Sequence, residues 1–154
     1  MNCGTLDADV RLAAFEDLPV ILEIANSTQT AARWSEKQYA EIFAQNSARK
    51  MLVIETDDKL QGFVVAHLAG EEWEIENIVI APQMQRRGLG EKLLKQLIKF
   101  AGARKAAKVI LEVRESNHPA RNFYKKCGFL QIGERKNYYS NPTENAPLYQ
   151  YIIL

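Results

Sequence analysis

The sequence has little of what marks a secreted or membrane-spanning protein. Cys3 and Cys127 are its only cysteines, and two thiols so far apart favour a chain without a disulfide. No run approaches the roughly 20 apolar residues that cross a bilayer, and the N-terminal stretch lacks the basic and apolar regions of a signal peptide. We therefore expect a cytoplasmic protein that does not enter a membrane.

Metal ligands and a strong net charge are missing as well. His67 and His118 are the only histidines, and neither is spaced with cysteines or carboxylates as metal ligands usually are. The formal net charge is +1, which provides no global attraction for nucleic acid. We therefore expect no metal site and no direct binding of nucleic acid.

What the chain does have is the composition of an ordinary globular protein, 47% hydrophobic and 25% charged. Its 154 residues suit one compact core. Strand and helix patterns alternate along it, without repeats or long linkers. We therefore expect one domain over residues 1–154, of the α/β class.

Hydrophobic periodicity and capping residues place the elements. Ser35 and Gln38 have the spacing of a capping box, and either Ser116 or Asn117 begins a later helix. The predicted helices cover residues 17–26, a segment from 35, residues 88–101 and a segment that ends at 128. The predicted strands cover residues 10–15, 51–55, 62–68, 72–80, 109–113, 129–134 and 148–154. The second and third strands are expected to form an antiparallel hairpin.

The strand over 72–80 changes phase near Asn77. Trp73 and Ile75 give one apolar face, whereas Ile78 and Ile80 carry the apolar signal on the opposite parity. A β-bulge at this point explains the change, and bulges are common beside functional sites. A strand end that is buried on both faces explains the pattern equally well.

A loop rich in glycine and arginine follows this strand and precedes the helix over 88–101. Unpaired amides at a helix start attract anions, and Gly88 and Gly90 let the backbone approach a phosphate closely. Arg86 and Arg87 supply charge-assisted hydrogen bonds. The simpler alternative is a glycine-rich turn with solvated arginines. The loop has neither the Gly-Lys-Ser/Thr ending of a P-loop nor the third glycine of a dinucleotide fingerprint.

The pattern Gln85-x-x-Gly88-x-Gly90 resembles the acetyl-coenzyme-A signature of the GNAT superfamily of N-acetyltransferases. The order of the elements is similar to that fold, so the resemblance covers nearly the whole chain. It implies a mixed α/β fold with a twisted, mostly antiparallel sheet of about six or seven strands and about four flanking helices. It also implies a cofactor cleft between splayed central strands, with acetyl-CoA as the acetyl donor.

Further segments resemble the RimI family of bacterial ribosomal-protein-alanine N-acetyltransferases. They are Trp34-Ser35-Glu36-Lys37, Leu111-Glu112-Val113-Arg114, Ser116-Asn117, Ala120, Tyr124, Gly128-Phe129 and the stretch RKNYY over 135–139. This resemblance implies acetylation of the N-terminal alanine of a small-subunit ribosomal protein, whose N-terminal peptide is then the partner. Parts of the pattern also occur in other acetyltransferases, so a small amine, a polyamine or a lysine side chain is an alternative acceptor. A coenzyme-A-binding module without catalysis is the alternative of another class.

The resemblance also assigns cofactor contacts. The backbone of residues 78–80 would pair with the pantetheine arm as an added strand does, and the loop would hold the pyrophosphate. Asn117, at a helix start, would contact the cofactor near its reactive end, and an amide freed by a bulge at Asn77 would polarise the thioester carbonyl. The full cofactor-binding set is Ile78, Val79, Ile80, Gln85, Arg86, Arg87, Gly88, Leu89, Gly90, Glu91 and Asn117.

Two residues match the catalytic positions of the family. Glu112 would be the general base that takes a proton from the amine, directly or through water. Its structural alternative is a strand-end carboxylate paired with Arg114 or a lysine. Tyr124 would be the general acid that protonates the departing thiolate, and its alternative is a core tyrosine whose hydroxyl bonds to the backbone.

The remaining features concern the acceptor and two positions at which the sequence differs from the family pattern. Glu72, Glu74 and Glu76 suggest reception of a cationic amine, although plain solvent exposure explains them equally well. Arg33 stands where the family often has proline. Glu91 follows the loop where a basic residue is frequent, and its charge should weaken pyrophosphate attraction slightly, although it suits the first turn of a helix.

Overall fold

The structure, a computed structural model, describes residues 7–28 and 31–154. Seven strands form one sheet; they are β1 (Ala8–Leu12), β2 (Arg49–Thr56), β3 (Lys59–Ala69), β4 (Glu72–Ile80), β5 (Lys108–Glu112), β6 (Leu130–Tyr139) and β7 (Glu144–Ile152). The α-helices of the described residues are α1 (Leu18–Asn26), α2 (Glu36–Glu41), α3 (Leu89–Ala103) and α4 (His118–Lys126).

The strands lie in the order β1-β2-β3-β4-β5-β7-β6. Neighbouring strands are antiparallel except β4 and β5, which are parallel. This arrangement confirms the expected mixed and mostly antiparallel sheet, including the hairpin of β2 and β3. Because β7 lies between β5 and β6, the strand β6 becomes an edge of the sheet.

The sheet separates two hydrophobic clusters, which the helices cover from opposite faces. On one face, α3 buries Leu89, Leu93, Leu97 and Ala101, each at most 3% exposed. The helix α4 packs against the same cluster through Ala120 and Phe123. On the other face, α1 contributes Ile21 and α2 contributes Tyr39. The four-residue spacing of α3 is therefore a confirmed prediction of a buried helix face.

Side chains cap the short helices as the sequence predicts. The Ser35 hydroxyl accepts a hydrogen bond from the Gln38 amide at 3.1 Å, and the Ser35 amide donates to the Gln38 side chain at 2.7 Å. Asn117, rather than Ser116, caps α4, because its side-chain oxygen accepts from the Ala120 amide at 3.3 Å. These contacts satisfy amides that have no partner inside the helix.

The first strand differs from the prediction. The expected strand over 10–15 is wrong at its end, because β1 stops at Leu12 and Phe15 begins a short 3-10 turn. The Asp17 carboxylate accepts hydrogen bonds from the Ala14 amide and from Arg11, both at 2.7 Å. This local network bends the chain before α1, and Phe15 is left 61% exposed.

The last hairpin also differs from the prediction. The expected strands over 129–134 and 148–154 are wrong in extent, because β6 continues to Tyr139 and β7 already begins at Glu144. The residues that β6 adds are mostly exposed, and Arg135 and Tyr139 pair with β7 on either side of an irregularity in the ladder. An exposed edge strand has no apolar alternation that would reveal it in the sequence.

Of the two cysteines, the structure places only one. Cys127 is partly buried and packs against the α3 side of the core. Cys3 lies outside the described residues. Within 7–28 and 31–154, no helix is long and apolar enough to cross a membrane.

Candidate active site

A cleft opens where β4 and β5 separate. The two strands are paired only where Glu72–Glu74 face Lys108–Ile110. Beyond that point β4 runs on to Ile80 beside β3 alone, and β5 runs on to Glu112 beside β7 alone. The edge of β4 that faces the cleft has no ladder partner there, so its backbone groups are available to an extended ligand, apart from the Ile80 carbonyl, which accepts from the Gln85 side chain. This geometry confirms the expected splay.

A β-bulge lies in β4 beside this cleft. In the ladder with β3, Asn77 faces Val65 while Ile75 faces Ala66, so Glu76 is an extra residue. Trp73 and Ile75 belong to the cluster under α3, and after the bulge that cluster receives Ile78 and Ile80. Val79 is buried on the opposite face. The bulge is therefore the correct explanation of the phase change near Asn77.

The glycine-rich loop joins β4 to α3. Gly88 is the residue before the helix and has φ of +81°, a left-handed conformation that glycine adopts without strain. No side chain caps this helix start, so the amides of its first turn point toward the loop without partners. Arg86 and Arg87 are exposed on the loop. The Gln85 side chain donates to the Ile80 carbonyl at 3.1 Å and thereby anchors the loop to the strand.

Gly90 brings three elements into contact. A Cβ atom at this position would lie 3.4 Å from the Phe123 ring of α4 and 3.8 Å from the Ile80 side chain of β4. The first turn of α3 is thus packed between β4 and α4. Asn117 precedes α4 as its cap, and its side-chain oxygen accepts from the Ala120 amide.

Glu112 is the last residue of β5 and lies on the opposite wall of the cleft. Its side chain is 14% exposed, and Oε1 lies 2.5 Å from the Nε atom of Arg135 on β6. The expected alternative of a pair with Arg114 or a lysine is wrong in its partner, because Arg114 pairs with Glu144 at 3.0 Å. The charge of Glu112 is also the main cause that raises the pKa of the Tyr138 hydroxyl.

Tyr124 lies on α4, buried among aromatic rings. The ring centres of Phe123 and Phe129 are 5.3 and 5.7 Å away. Burial raises the pKa of its hydroxyl far above the ordinary value, so the group stays protonated at neutral pH. The pKa of the nearby Tyr139 hydroxyl is raised as well, by burial and by the charge of Glu112.

One face of the sheet presents polar side chains toward the cleft. Successive ladder partners form a row across β2, β3, β4 and β5, namely Arg49, His67, Glu74 and Ile110. Glu112 lies two residues after Ile110 and shares this face. We call these five residues the open face. Burial, followed by the charge of Glu112, raises the pKa of Glu74.

Residues 18–129 match the model of the acetyltransferase (GNAT) family. The chain belongs to this family. It is 34% identical over 131 residues to the [ribosomal protein bS18]-alanine N-acetyltransferase of Salmonella typhimurium, a match over 84% of this chain and 86% of that protein. The crystal structure of the ribosomal-protein-alanine N-acetyltransferase from Escherichia coli has a TM-score of 0.84 and 30% identity, and covers 95% of this chain and 94% of that one.

The GNAT fold itself does not select an acceptor. A variant of the spermidine N-acetyltransferase from Vibrio cholerae has a TM-score of 0.81 with this chain, over 94% of it and 93% of that protein, at only 20% identity. Such a likeness shows the fold alone. The acceptor must therefore be argued from side chains.

Glu91, one of the two residues that depart from the GNAT family pattern, directly follows the glycine-rich loop. It lies in the first turn of α3 and forms an ion pair with Lys95, one turn later, at 3.2 Å. Lys95 therefore offsets part of the negative charge that Glu91 adds beside the loop. Leu89, the neighbouring member of the predicted set, is buried in the core and contributes its backbone to the helix start.

Sequence reasoning missed several residues of the GNAT cleft. Arg135 belongs to the recognised RKNYY stretch, but its contact with Glu112 depends on the pairing of β6 with β7. No sequence pattern indicated that the Asn77 side chain contacts the segment between α1 and α2, where it accepts a hydrogen bond from the Ala32 amide. That segment lines a cavity of about 530 Å³, bounded by residues such as Trp34 and Gln38, which lies apart from the predicted cofactor residues. Among the described residues, no group of histidines, cysteines and carboxylates is arranged to hold a metal ion.

Proposed function

We propose that this chain is an acetyl-CoA-dependent N-terminal acetyltransferase of the cytoplasm, folded as one domain, which acetylates the N-terminal alanine of ribosomal protein bS18. The observation that carries the proposal is the cleft between β4 and β5, with the loop at 85–90 after β4 and Glu112 at the end of β5. Relatives with 34 and 35% identity over most of the chain are named for this substrate, which supports the same acceptor.

The residues around the cleft fit acetyl-CoA. The unpaired edge of β4 at residues 78–80 suits an extended amide-containing arm. The uncapped start of α3, together with Arg86 and Arg87, suits a pyrophosphate. Asn117 retains a side-chain amide as a donor at the start of α4. When bound, acetyl-CoA supplies an activated acetyl group on a thioester.

Glu112 is proposed to receive the proton of the attacking amine. The carboxylate is largely buried, has one oxygen engaged by Arg135, and also interacts with the nearby Tyr138 hydroxyl. The acceptor or a bridging water would contact the oxygen that Arg135 does not hold. An α-amine has a pKa of about 7.7 to 8.0, against about 10.4 for a lysine side chain. A carboxylate therefore suffices more readily for an N-terminus than for a lysine.

Tyr124 is proposed to supply a proton to the departing sulfur. Its raised pKa keeps the proton on the hydroxyl at neutral pH. It also makes the hydroxyl a weaker acid than a free tyrosine, so the proton would pass to the sulfur only as the C–S bond breaks and negative charge develops there. In the part of the chain that the structure describes, no backbone group accepts a hydrogen bond from this hydroxyl. This differs from the alternative for Tyr124, a core tyrosine whose hydroxyl donates a hydrogen bond to the backbone.

A polyamine is the second candidate acceptor, because Glu74 and Glu112 face the cleft together and two carboxylates suit a polycation. Incubation of wild type and acetyl-CoA with an alanine-initiated bS18 peptide, or with spermidine, separates the candidates by mass spectrometry. We expect acetylation of the peptide α-amine. Acetylated spermidine without acetylated peptide would favour the polyamine. Coenzyme binding without turnover of either would favour a non-catalytic module.

Two variants test the assigned chemistry. We expect Glu112→Gln and Tyr124→Phe each to lower kcat/KM for the peptide by about 100-fold or more, the usual contribution of a positioned acid or base. The matched controls are Glu115→Gln, an exposed glutamate in the following loop, and Tyr149→Phe, another buried tyrosine. Equal activity of the two catalytic variants and their controls would refute the mechanism.

A further inference from the structure

Asn77, at the bulge of β4, ties down the segment between α1 and α2 over residues 31–35. It is 5% exposed, and its side-chain oxygen accepts a hydrogen bond from the Ala32 amide at 3.1 Å. Its side-chain amide donates to the hydroxyl of Tyr39 on α2 at 3.0 Å. Both polar groups of a buried side chain are therefore used to hold this segment against the strand.

Glu76, the extra residue of the bulge, reaches the same segment from the exposed side. Its carboxylate accepts two hydrogen bonds from Arg49 of β2, at 2.5 and 3.1 Å. The Arg49 guanidinium in turn lies 6.0 Å from the centre of the Trp34 ring, within reach of a cation–π contact. The two bulge residues thus hold the segment through independent sets of contacts.

The held segment borders the route to Glu112. Arg49, which contacts Trp34, belongs to the open face, as does Glu112. The reverse face of β5 is closed by the core under α3, where Leu111 is 1% exposed. An amine that approaches Glu112 across the open face meets a surface bordered by the segment over 31–35, next to Arg49, and by Arg135 of β6, next to Glu112.

We propose that Asn77 and Glu76 are positioning residues that fix the segment over 31–35 relative to the bulge and thereby set the affinity for the acceptor. The inference rests on the proposed function in one respect, namely that the acceptor amine enters across the open face. The bulge would then act on both substrates. Its backbone borders the side of the cleft where the thioester would lie, and its side chains hold the segment over 31–35 on the acceptor side.

The variants Asn77→Leu and Tyr39→Phe test the buried contacts, and Arg49→Met tests the exposed ones. We expect each to raise KM for the acceptor by about tenfold, with KM for acetyl-CoA within about twofold, because each removes a contact that holds the segment over 31–35 and none changes a predicted cofactor residue. In the double variant Asn77→Leu/Tyr39→Phe the effects on the logarithm of KM should not add, since both changes break the same hydrogen bond between Asn77 and Tyr39.

Two control variants separate positioning from general loss of stability. Tyr149→Phe removes the hydroxyl of a buried tyrosine that accepts a hydrogen bond from Arg121 at 3.0 Å, and Glu55→Gln removes an exposed cross-strand partner of Arg11. We expect both to lower Tm by amounts similar to Tyr39→Phe and Arg49→Met while KM for the acceptor stays unchanged. A lower Tm without a change in acceptor KM for the three test variants would overturn the proposal, as would an equal rise in KM for acetyl-CoA.

Amide hydrogen exchange makes the test independent of turnover. The Ala32 amide should exchange markedly faster in Asn77→Leu than in wild type, because its acceptor is lost, and unchanged exchange would overturn the proposal. If wild type acetylates spermidine and not the peptide, the proposed substrate fails, and the same KM comparison is made with spermidine. If wild type turns over neither acceptor, the proposed function fails, and the acceptor-affinity part of this proposal fails with it.

Discussion

At the residue scale, the partly buried carboxylate of Glu74 in the open face lowers the stability of the folded protein at neutral pH. Arg49 pairs with Glu76 and Arg135 pairs with Glu112, but Glu74 has no ion-pair partner among the described residues. Burial and the charge of Glu112 raise its pKa. Because the folded pKa lies above the unfolded one, the folded protein binds this proton more tightly. The resulting stability is present at low pH and is lost as pH rises through the folded pKa.

We therefore expect Glu74→Gln to raise Tm at pH 7 and to have little effect below about pH 4, near the ordinary pKa of the group. Thermal melts over that range test the sign. Asp17→Asn should instead lower Tm at pH 7, because the hydrogen bond between Asp17 and Arg11 lowers the pKa of Asp17 in the folded protein. That stability is present above the ordinary pKa and is lost as pH falls through the folded one. A lower Tm of Glu74→Gln at pH 7 would contradict the assignment.

At the scale of elements, the loop between β4 and α3 depends on its glycines for different reasons. Gly88 requires a positive φ but has open space where a Cβ would stand. Gly90 has an ordinary backbone but lies against the Phe123 ring. A substitution at Gly88 therefore acts on the path of the loop, whereas one at Gly90 acts on the packing of α3 against α4.

The variant Gly88→Ala should destabilise the fold by about 1 kcal/mol, the usual cost of a left-handed non-glycine residue, and should raise KM for acetyl-CoA. The matched control is Gly70→Ala in the turn between β3 and β4, which also has a positive φ and open space around it. We expect the same loss of stability there with an unchanged KM. An equal KM in both variants would show that the loop does not bind the cofactor.

At the scale of the whole molecule, the sheet consists of two halves that meet over a short distance. The half from β1 to β4 carries the loop, and the half of β5, β7 and β6 carries Glu112. Only three residues of β4 are paired with three of β5, at Glu72–Glu74. A ligand in the cleft between the halves therefore stabilises the folded state by contacts to both of them.

We expect free coenzyme A at about 100 times its Kd to stabilise the protein by about 2.7 kcal/mol, which corresponds to a rise in Tm of about 5 to 10 °C for a chain of this size. Pantetheine, which lacks the pyrophosphate, should give a smaller shift at the same concentration. The double variant Arg86→Ala/Arg87→Ala should reduce the shift from coenzyme A and leave that from pantetheine unchanged. Equal shifts from the two ligands in wild type would contradict the loop assignment.

The sequence by itself determined the elements with strong local signals. The spacing of Leu89, Leu93, Leu97 and Ala101 predicted α3, because burial on one face imposes a fixed period on a helix. The parity change near Asn77 located an irregularity in β4 but left a bulge and a strand end buried on both faces as equal explanations. The Ser35 box predicted the start of α2, since capping is a contact within one turn. Motif resemblance then indicated the GNAT family.

Only the tertiary structure decided how these elements meet. The partner of Glu112 is Arg135, more than 20 residues along the chain, because β5 and β6 both pair with β7, which brings the two side chains to the same region of the sheet. The contacts of Asn77 with Ala32 and Tyr39 likewise join segments that are distant in sequence. Such contacts follow from strand order and register, which no local periodicity encodes.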